Sequence, residues 1–313
     1  MNMIESFDEM MELARQGEPV SVAIAAGQDP AAFAALIDAV QSGIAVGHLY
    51  GHKYTINKML RDIPDLDRSK IHVYEARSIL NSAEMAVNAV RDGTADLVLK
   101  GKLKSSELLK AVLHPEKGLR TGKHLSDVFI FENPNRPSRR LTFITDGGVT
   151  LNPHLNQKLD IINNAVMVAH ALGNDEPKVA ILSAVETVNK DLEATNDAAI
   201  LTKMNHRGQI KGCIIDGPLA LDNALSIKAA EMKSIKSKVA GDADILVCPD
   251  IESANMLAKS TTYIAHMRLA HVVVGAAAPV LIPSRADTAD SKLLSIALGK
   301  IVKEYLQTLE TVS

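Results

Sequence analysis

The chain contains no tryptophan, and aromatic residues fill only 3% of its 313 positions. That leaves little material for the stacked platforms on which single-stranded nucleic acid binds. Cysteine is also scarce, at two residues. Cys213 and Cys248 each sit inside an apolar run, KGCIID and DILVCP, without the CxxC spacing of a zinc site or the density of a disulfide scaffold. They are expected as buried free thiols. Charge of one sign is lacking too: the net charge is −3, so no global field draws the chain to nucleic acid or to an anionic membrane. No uninterrupted apolar stretch reaches the ~20 residues of a transmembrane helix. The N-terminal MNMIESFDEMMELARQ carries acids where a signal peptide needs bases, and it has no apolar core segment. Nucleic-acid and membrane partners are therefore not expected, and a cytoplasmic location is.

What is present is apolar bulk: 47% hydrophobic residues against 23% charged ones. That ratio predicts large buried sheets, and the length exceeds the size at which single cores stop growing, so two domains are expected. Short apolar runs alternate with helical patterns. Strands are predicted at Val20–Ala26, Gly43–His48, Lys70–Tyr74, Asp96–Leu99, Val128–Phe131, Leu141–Ile144, Lys178–Ser183, Ile210–Ile215, Asp244–Cys248 and along one run from His271 to Pro283. Helices are predicted at Ala31–Val40, Ala83–Arg91, Ser105–Leu113, Leu155–Leu172, Leu225–Lys236, Ser253–Ala265 and from Leu293 onward, with Asp29-Pro30 offering an N-cap and a proline at N1. This βαβα rhythm implies an α/β fold with largely parallel sheets covered on both faces. The Pro- and Asn-rich stretch Glu132–Ser138 reads as the linker. The expected domains are 1–137 plus 272–313, discontinuous, and 138–271.

Several junctions carry chemistry. Ser284-Arg285-Ala286-Asp287 lies between the last apolar run and the last helix, with Asp290 close behind. In open α/β sheets ligands bind at such strand-to-helix junctions, and a helix N-terminus suits an anion. A guanidinium there opposes the helix dipole, which points to an anion nearby, either a ligand or Asp287 and Asp290. Lys100-Gly101-Lys102-Leu103-Lys104-Ser105-Ser106 reads as a phosphate cradle or as a solvated basic turn; it lacks the Walker A spacing. In the donor-rich loop before VFIF, Arg120 and Ser126 are candidate phosphate ligands, and His124 reads as a surface or linker histidine. Asp146 in TDGG either orients a ligand or closes a glycine turn. Asp250 reads as an N-cap. His48 and His52 lack the acids or HExxH pattern of a metal site, so no metal is expected. GxGxxG after a strand and GxSxG are both missing, which removes the dinucleotide fingerprint and the hydrolase nucleophile elbow.

Six segments, LVLKGKLKS, FITDGG, AILSAVETVN, DGPLALDNALS, ADILVCPDIESANML and IPSRADTADSK, occur in order from Asp96 to Lys292. Together they make the chain resemble the phosphate acetyl/butyryltransferases, most of all the butyryltransferase branch. The resemblance implies two α/β domains around a cleft, like isocitrate or isopropylmalate dehydrogenase, and a homodimer or higher homo-oligomer. It implies acyl-CoA + phosphate ⇌ acyl phosphate + CoA in a ternary complex, with coenzyme A as substrate and no cofactor, metal or acyl-enzyme. Arg285 would stabilise the oxyanion, Ser284 would bond the CoA sulfur or the phosphate, and Lys100, Lys102, Arg120, Ser126 and Arg285 would hold phosphate. Asp290 is expected as the base, with Asp287 capping the helix and standing as the competing candidate for the base. A phosphate acetyltransferase is the neighbouring alternative. A metal- and NAD(P)-dependent decarboxylating dehydrogenase on the same fold would need an acid cluster and a nucleotide loop, and neither is evident.

Overall fold

The computed structural model describes residues 2–136 and 141–312. In chain order the elements are α1 (Phe7–Ala14), β1 (Val20–Ala25), α2 (Pro30–Gln41), β2 (Ala45–Gly51), α3 (Lys53–Arg61), β3 (Ile71–Glu75), α4 (Ile79–Arg91), β4 (Leu97–Lys100), α5 (Ser105–Val112), β5 (Ser126–Glu132) and β6 (Leu141–Thr145). They continue with α6 (Leu155–Ala171), β7 (Lys178–Leu182), α7 (Glu193–His206), β8 (Ile214–Leu219), α8 (Leu221–Leu225), α9 (Ile227–Met232), β9 (Ile245–Val247), α10 (Ile251–Tyr263), β10 (Leu269–Val274), β11 (Val280–Leu281) and α11 (Ala289–Val312). These elements form two compact units, Phe7–Lys123 with Ala270–Ser313, and Met1–Ser6 with His124–Leu269. Among the described residues no helix is long and apolar enough to cross a membrane.

In the first unit the strand order is β3-β2-β1-β4-β11-β10. All neighbours run parallel except β10 and β11, which pair antiparallel at Val273 and Val280. The sequences VSVAIA and LVLK are buried on both faces, as strands covered by helices on both sides must be. Asp29 caps α2, its Oδ1 accepting from Ala32 N at 2.8 Å, and Pro30 occupies the first turn. In the second unit the order is β5-β6-β9-β7-β8, with only the β5–β6 pair antiparallel. Its core is Phe131, Ile144, Leu182, Leu219, Leu246 and Ala254 with their neighbours.

Three expectations are corrected. The domain boundary expected at 137/138 falls at Lys123/His124, because β5 pairs with β6 through five residue pairs and so belongs to the second unit. Glu132 thus ends β5 and residues 133–136 follow it within the second unit, not as a linker between units; Pro137 and Ser138 lie outside the described residues. The run His271–Pro283 is two antiparallel strands, not one. Gly275 turns the chain at φ +99°, a conformation that favours glycine, and Pro279 stands before β11. Ala276 and Ala278 in the turn stay buried, so the reversal leaves no polar mark on the sequence. The expected helix Leu225–Lys236 is broken at Ser226, whose hydroxyl caps α9 by accepting from Ala229 N at 3.3 Å.

Candidate active site

Strands β1, β4 and β11 are adjacent and parallel, so their carboxyl ends lie side by side at one edge of the first unit. From that edge the chain runs through Ala26–Asp29 into α2, through Gly101–Lys104 into α5, and through Ile282–Thr288 into α11. Gly101 packs directly on the neighbouring strand end. Its N–H donates to Ala25 O at 2.8 Å, and a Cβ there would stand 2.7 Å from the same oxygen. Ala26 is held in the left-handed region at φ +57°, its N–H donating to the Ser82 hydroxyl at 3.0 Å.

Two lysines are buried at this edge. Lys100, the last residue of β4, is 3% exposed, and its Nζ donates to Leu103 O at 3.3 Å. Burial pushes its pKa below the ordinary lysine value; the charges of Lys292 and Arg285 push the same way, and Asp29 and Asp287 push back. Lys292, in the first turn of α11, is also 3% exposed and donates to Asp287 O at 2.6 Å and Ser284 O at 3.3 Å. Burial lowers its pKa too, against Asp287 and Asp29. Lys100 and Lys292 thus lie buried near Asp29 and Asp287, where a buried charge demands partners.

The Ser284–Asp287 turn is closed on itself. Asp287 Oδ2 accepts from Ser284 N at 2.6 Å, and Ala286 N approaches Ser284 Oγ at 3.4 Å. The cap of α11 is Thr288, whose Oγ1 accepts from Ser291 N at 3.2 Å, so Asp287 is not the helix cap that the sequence led us to expect. Arg285 is exposed, and so is Asp290 in the first turn of α11.

The other candidates are placed differently. Lys102 is exposed on the loop after β4. Arg120 bridges Ala276 in the turn before β11 and borders the same hollow as Asp96, which precedes β4. That is the amino-terminal edge of these strands, so the structure does not gather Arg120 with Lys100. Ser126 and Asp146 belong to the second unit. Ser126 is 0% exposed, and its hydroxyl receives Asn164 Nδ2 at 2.8 Å. Asp146, 3% exposed, accepts from the amides of Asp127, Gly148 and Val149 at Oδ1 and of Thr150 at Oδ2, at 2.9–3.1 Å. Burial pushes its carboxyl above the usual aspartate value, and the Gly148 amide opposes this. Asp146 therefore builds its own turn. His124 Nε2 meets Thr150 Oγ1 at 2.7 Å, and Asp250 caps α10 through Ser253 N at 2.8 Å.

His48 lies against His72, ring centroids 4.9 Å apart and planes tilted by 32°, with its Nδ1 3.3 Å from the Tyr74 hydroxyl; burial, then His72, lowers its pKa. Among the described residues no group of three or more His, Cys, Asp or Glu could hold a metal ion. Sequence reasoning passed over Lys292. The signal was there: a lysine in the first turn of a helix opposes the dipole and needs a reason.

A family model described as Phosphate acetyl/butaryl transferase matches residues 61–299, more than half of the chain. Over 300 residues the chain is 42% identical to Phosphate butyryltransferase of Clostridium acetobutylicum, covering 96% of this chain and 99% of that protein. Over 295 residues it is 40% identical to Phosphate acetyltransferase of Thermotoga maritima, covering 94% and 98%. Among solved structures, a branched-chain phosphotransacylase from Enterococcus faecalis V583 aligns with a TM-score of 0.77 at 29% identity, over 90% of this chain and 99% of that one.

Proposed function

Because the chain belongs to the phosphate acetyl/butyryl transferase family, we propose that the edge carrying Lys100, Ser284 and Arg285 binds inorganic phosphate and catalyses acyl transfer there. The reaction is the reversible exchange acyl-CoA + phosphate ⇌ acyl phosphate + CoA. The observation that carries the site assignment is the excess of cation, with Lys100, Lys292 and Arg285 set against Asp29 and Asp287 beside the start of α11. That net positive charge suits phosphate, which it would hold by charge-assisted hydrogen bonds.

A phosphate oxygen attacks the thioester carbonyl, the C–S bond breaks, and CoA leaves as thiolate. Arg285 offsets the charge that builds on the carbonyl oxygen, and Ser284 donates to the sulfur or to phosphate. Holding both substrates together supplies much of the rate, with no acyl-enzyme. Burial supports that reading: it pushes the Cys213 thiol up to about 11 and the Cys248 thiol up to about 12, far from thiolate at neutral pH. In the reverse direction a carboxylate removes the thiol proton. We assign this to Asp290, which is exposed in the first turn of α11. Asp290→Asn then lowers the rate of CoA acylation more than Asp287→Asn does; the opposite order would move the assignment to Asp287. With three cations in place the reaction requires no metal, so rates after dialysis against a chelator stay unchanged.

The acyl group is short, with butyryl preferred and acetyl second, a reading supported by the likeness to the clostridial relative. Release of thiol from acetyl-, propionyl-, butyryl- and isobutyryl-CoA in phosphate tests it; silence with all four would sink the activity. The enzyme is cytoplasmic, in keeping with two unpaired cysteines. It is a homodimer or larger, a reading supported by the outward Met256, Tyr263 and Ile264 at α10. Light scattering that gave a monomer at micromolar concentration would overturn that.

A further inference from the structure

Lysine is a poor choice for position 292. It lies in the first turn of α11, where the helix dipole disfavours a cation, and it is 3% exposed, where an ammonium is costly. Nothing in the helix benefits, because Thr288 already caps it. What the side chain does is reach back. Its Nζ donates to Ser284 O at 3.3 Å and to Asp287 O at 2.6 Å, the carbonyls at the two ends of the Ser284–Asp287 turn. The turn is otherwise held by the Asp287 carboxylate on Ser284 N and by Asp287 N donating to Ser284 O at 3.2 Å. Arg285 and Ala286, between those ends, are exposed and gain little from packing.

We propose that Lys292 is a positioning residue for acyl transfer, an internal clamp that fixes where the Ser284 hydroxyl and the Arg285 guanidinium stand. This rests on the reading of Ser284 and Arg285 given above. The clamp touches main-chain carbonyls only and leaves both working side chains unencumbered. Its charge also lies beside the Asp287 carboxylate, which faces Lys100 as well. A small misplacement of reacting groups costs about 100-fold in rate.

The test is Lys292→Met, similar in length and uncharged, assayed with phosphate and butyryl-CoA beside the parent. We expect kcat to fall about 100-fold while KM for each substrate stays within threefold and the melting temperature within a few degrees. Parental kcat in a folded K292M protein would overturn the proposal. So would a KM for phosphate raised at unchanged kcat, since that marks a direct ligand instead of a clamp. If K292M does not fold, K292R carries the test. It keeps charge and donors, so the protein folds, but its longer fork displaces the turn, and the same loss in kcat at steady KM is expected; parental kcat would again overturn the clamp. An inactive parent would defeat the activity reading itself, which is a separate outcome.

Discussion

Two turns in this molecule look alike in sequence and differ in what they leave over. Thr145-Asp146-Gly147-Gly148 begins at the last residue of β6 in the second unit, and Ser284-Arg285-Ala286-Asp287 follows β11 in the first. Each places an aspartate at the carboxyl end of a buried strand. At the first, four backbone amides hold the carboxylate. At the second, Asp287 closes the turn with one amide, while Lys100, Lys292 and Arg285 bring more positive charge than the carboxylates neutralise. A polar residue held by backbone amides is architecture; buried cations beside an exposed guanidinium are a candidate for anion binding.

The contrast breaks most sharply at Arg285. Arg285→Lys keeps the charge but loses the planar pair of donors, and kcat should fall by about 100-fold or more, as when an oxyanion donor is removed. A near-parental rate would remove Arg285 from the chemistry.

Next comes Lys100→Met, which should raise KM for phosphate about 30-fold, in line with losing a hydrogen bond to a charged group. The parent enzyme adds a pH signature. Burial, Lys292 and Arg285 all disfavour the charged form of Lys100, so its proton is lost below the ordinary lysine value of 10.5. Phosphate-dependent kcat/KM, measured from acyl-CoA so that no thiol is a substrate, should therefore decline on the alkaline side before pH 10.5, with that limb absent in K100M. The linkage has the matching sign for stability. Between the folded value and 10.5 the unfolded chain holds more protons, so the contribution of this lysine to stability rises with pH. A limb unchanged in K100M would assign it elsewhere.

Asp146→Asn should behave in the opposite way to R285K. It leaves the Thr150 amide facing an NH2 group, which costs about 1–3 kcal/mol in urea unfolding, while kcat stays within threefold. A large kinetic loss at unchanged stability would make Asp146 a substrate ligand after all. The smallest effect is expected from maleimide at neutral pH. With both thiols buried and held up to about 11 and 12, neither alkylation nor loss of activity should follow within an hour.

Much of the fold was legible because it rests on patterns that need no partner. The runs VSVAIA, LVLK and KVAIL, the Asp29-Pro30 cap and the Asp250 cap appear where the sequence places them, since apolar continuity and local capping are properties of neighbours in the chain. The hairpin of β10 and β11 was not legible, because a turn of glycine and buried alanines looks like more strand. Helix α7, with a mixed face and Asp197 bound to Lys158 at 2.7 Å, was passed over for a similar reason: its burial is satisfied by an ion pair that only the fold assembles.

The site divides the same way. Residue types and order in LVLKGKLKS and IPSRADTADSK were enough to mark two loops and to carry the family likeness, because those are facts of the one-dimensional chain. Which charges meet was decided by strand order. Placing β11 beside β4 and β4 beside β1 brings Asp29, Lys100, Asp287 and Lys292 to one edge from positions more than 250 residues apart at the extremes. The same topology sets Arg120 at the other edge, and in the second unit the pairing of β5 with β6 brings the Asp127 amide onto Asp146. Burial and proximity belong to the folded molecule, and these decide whether a lysine is a solvated tail or a charge that needs an anion.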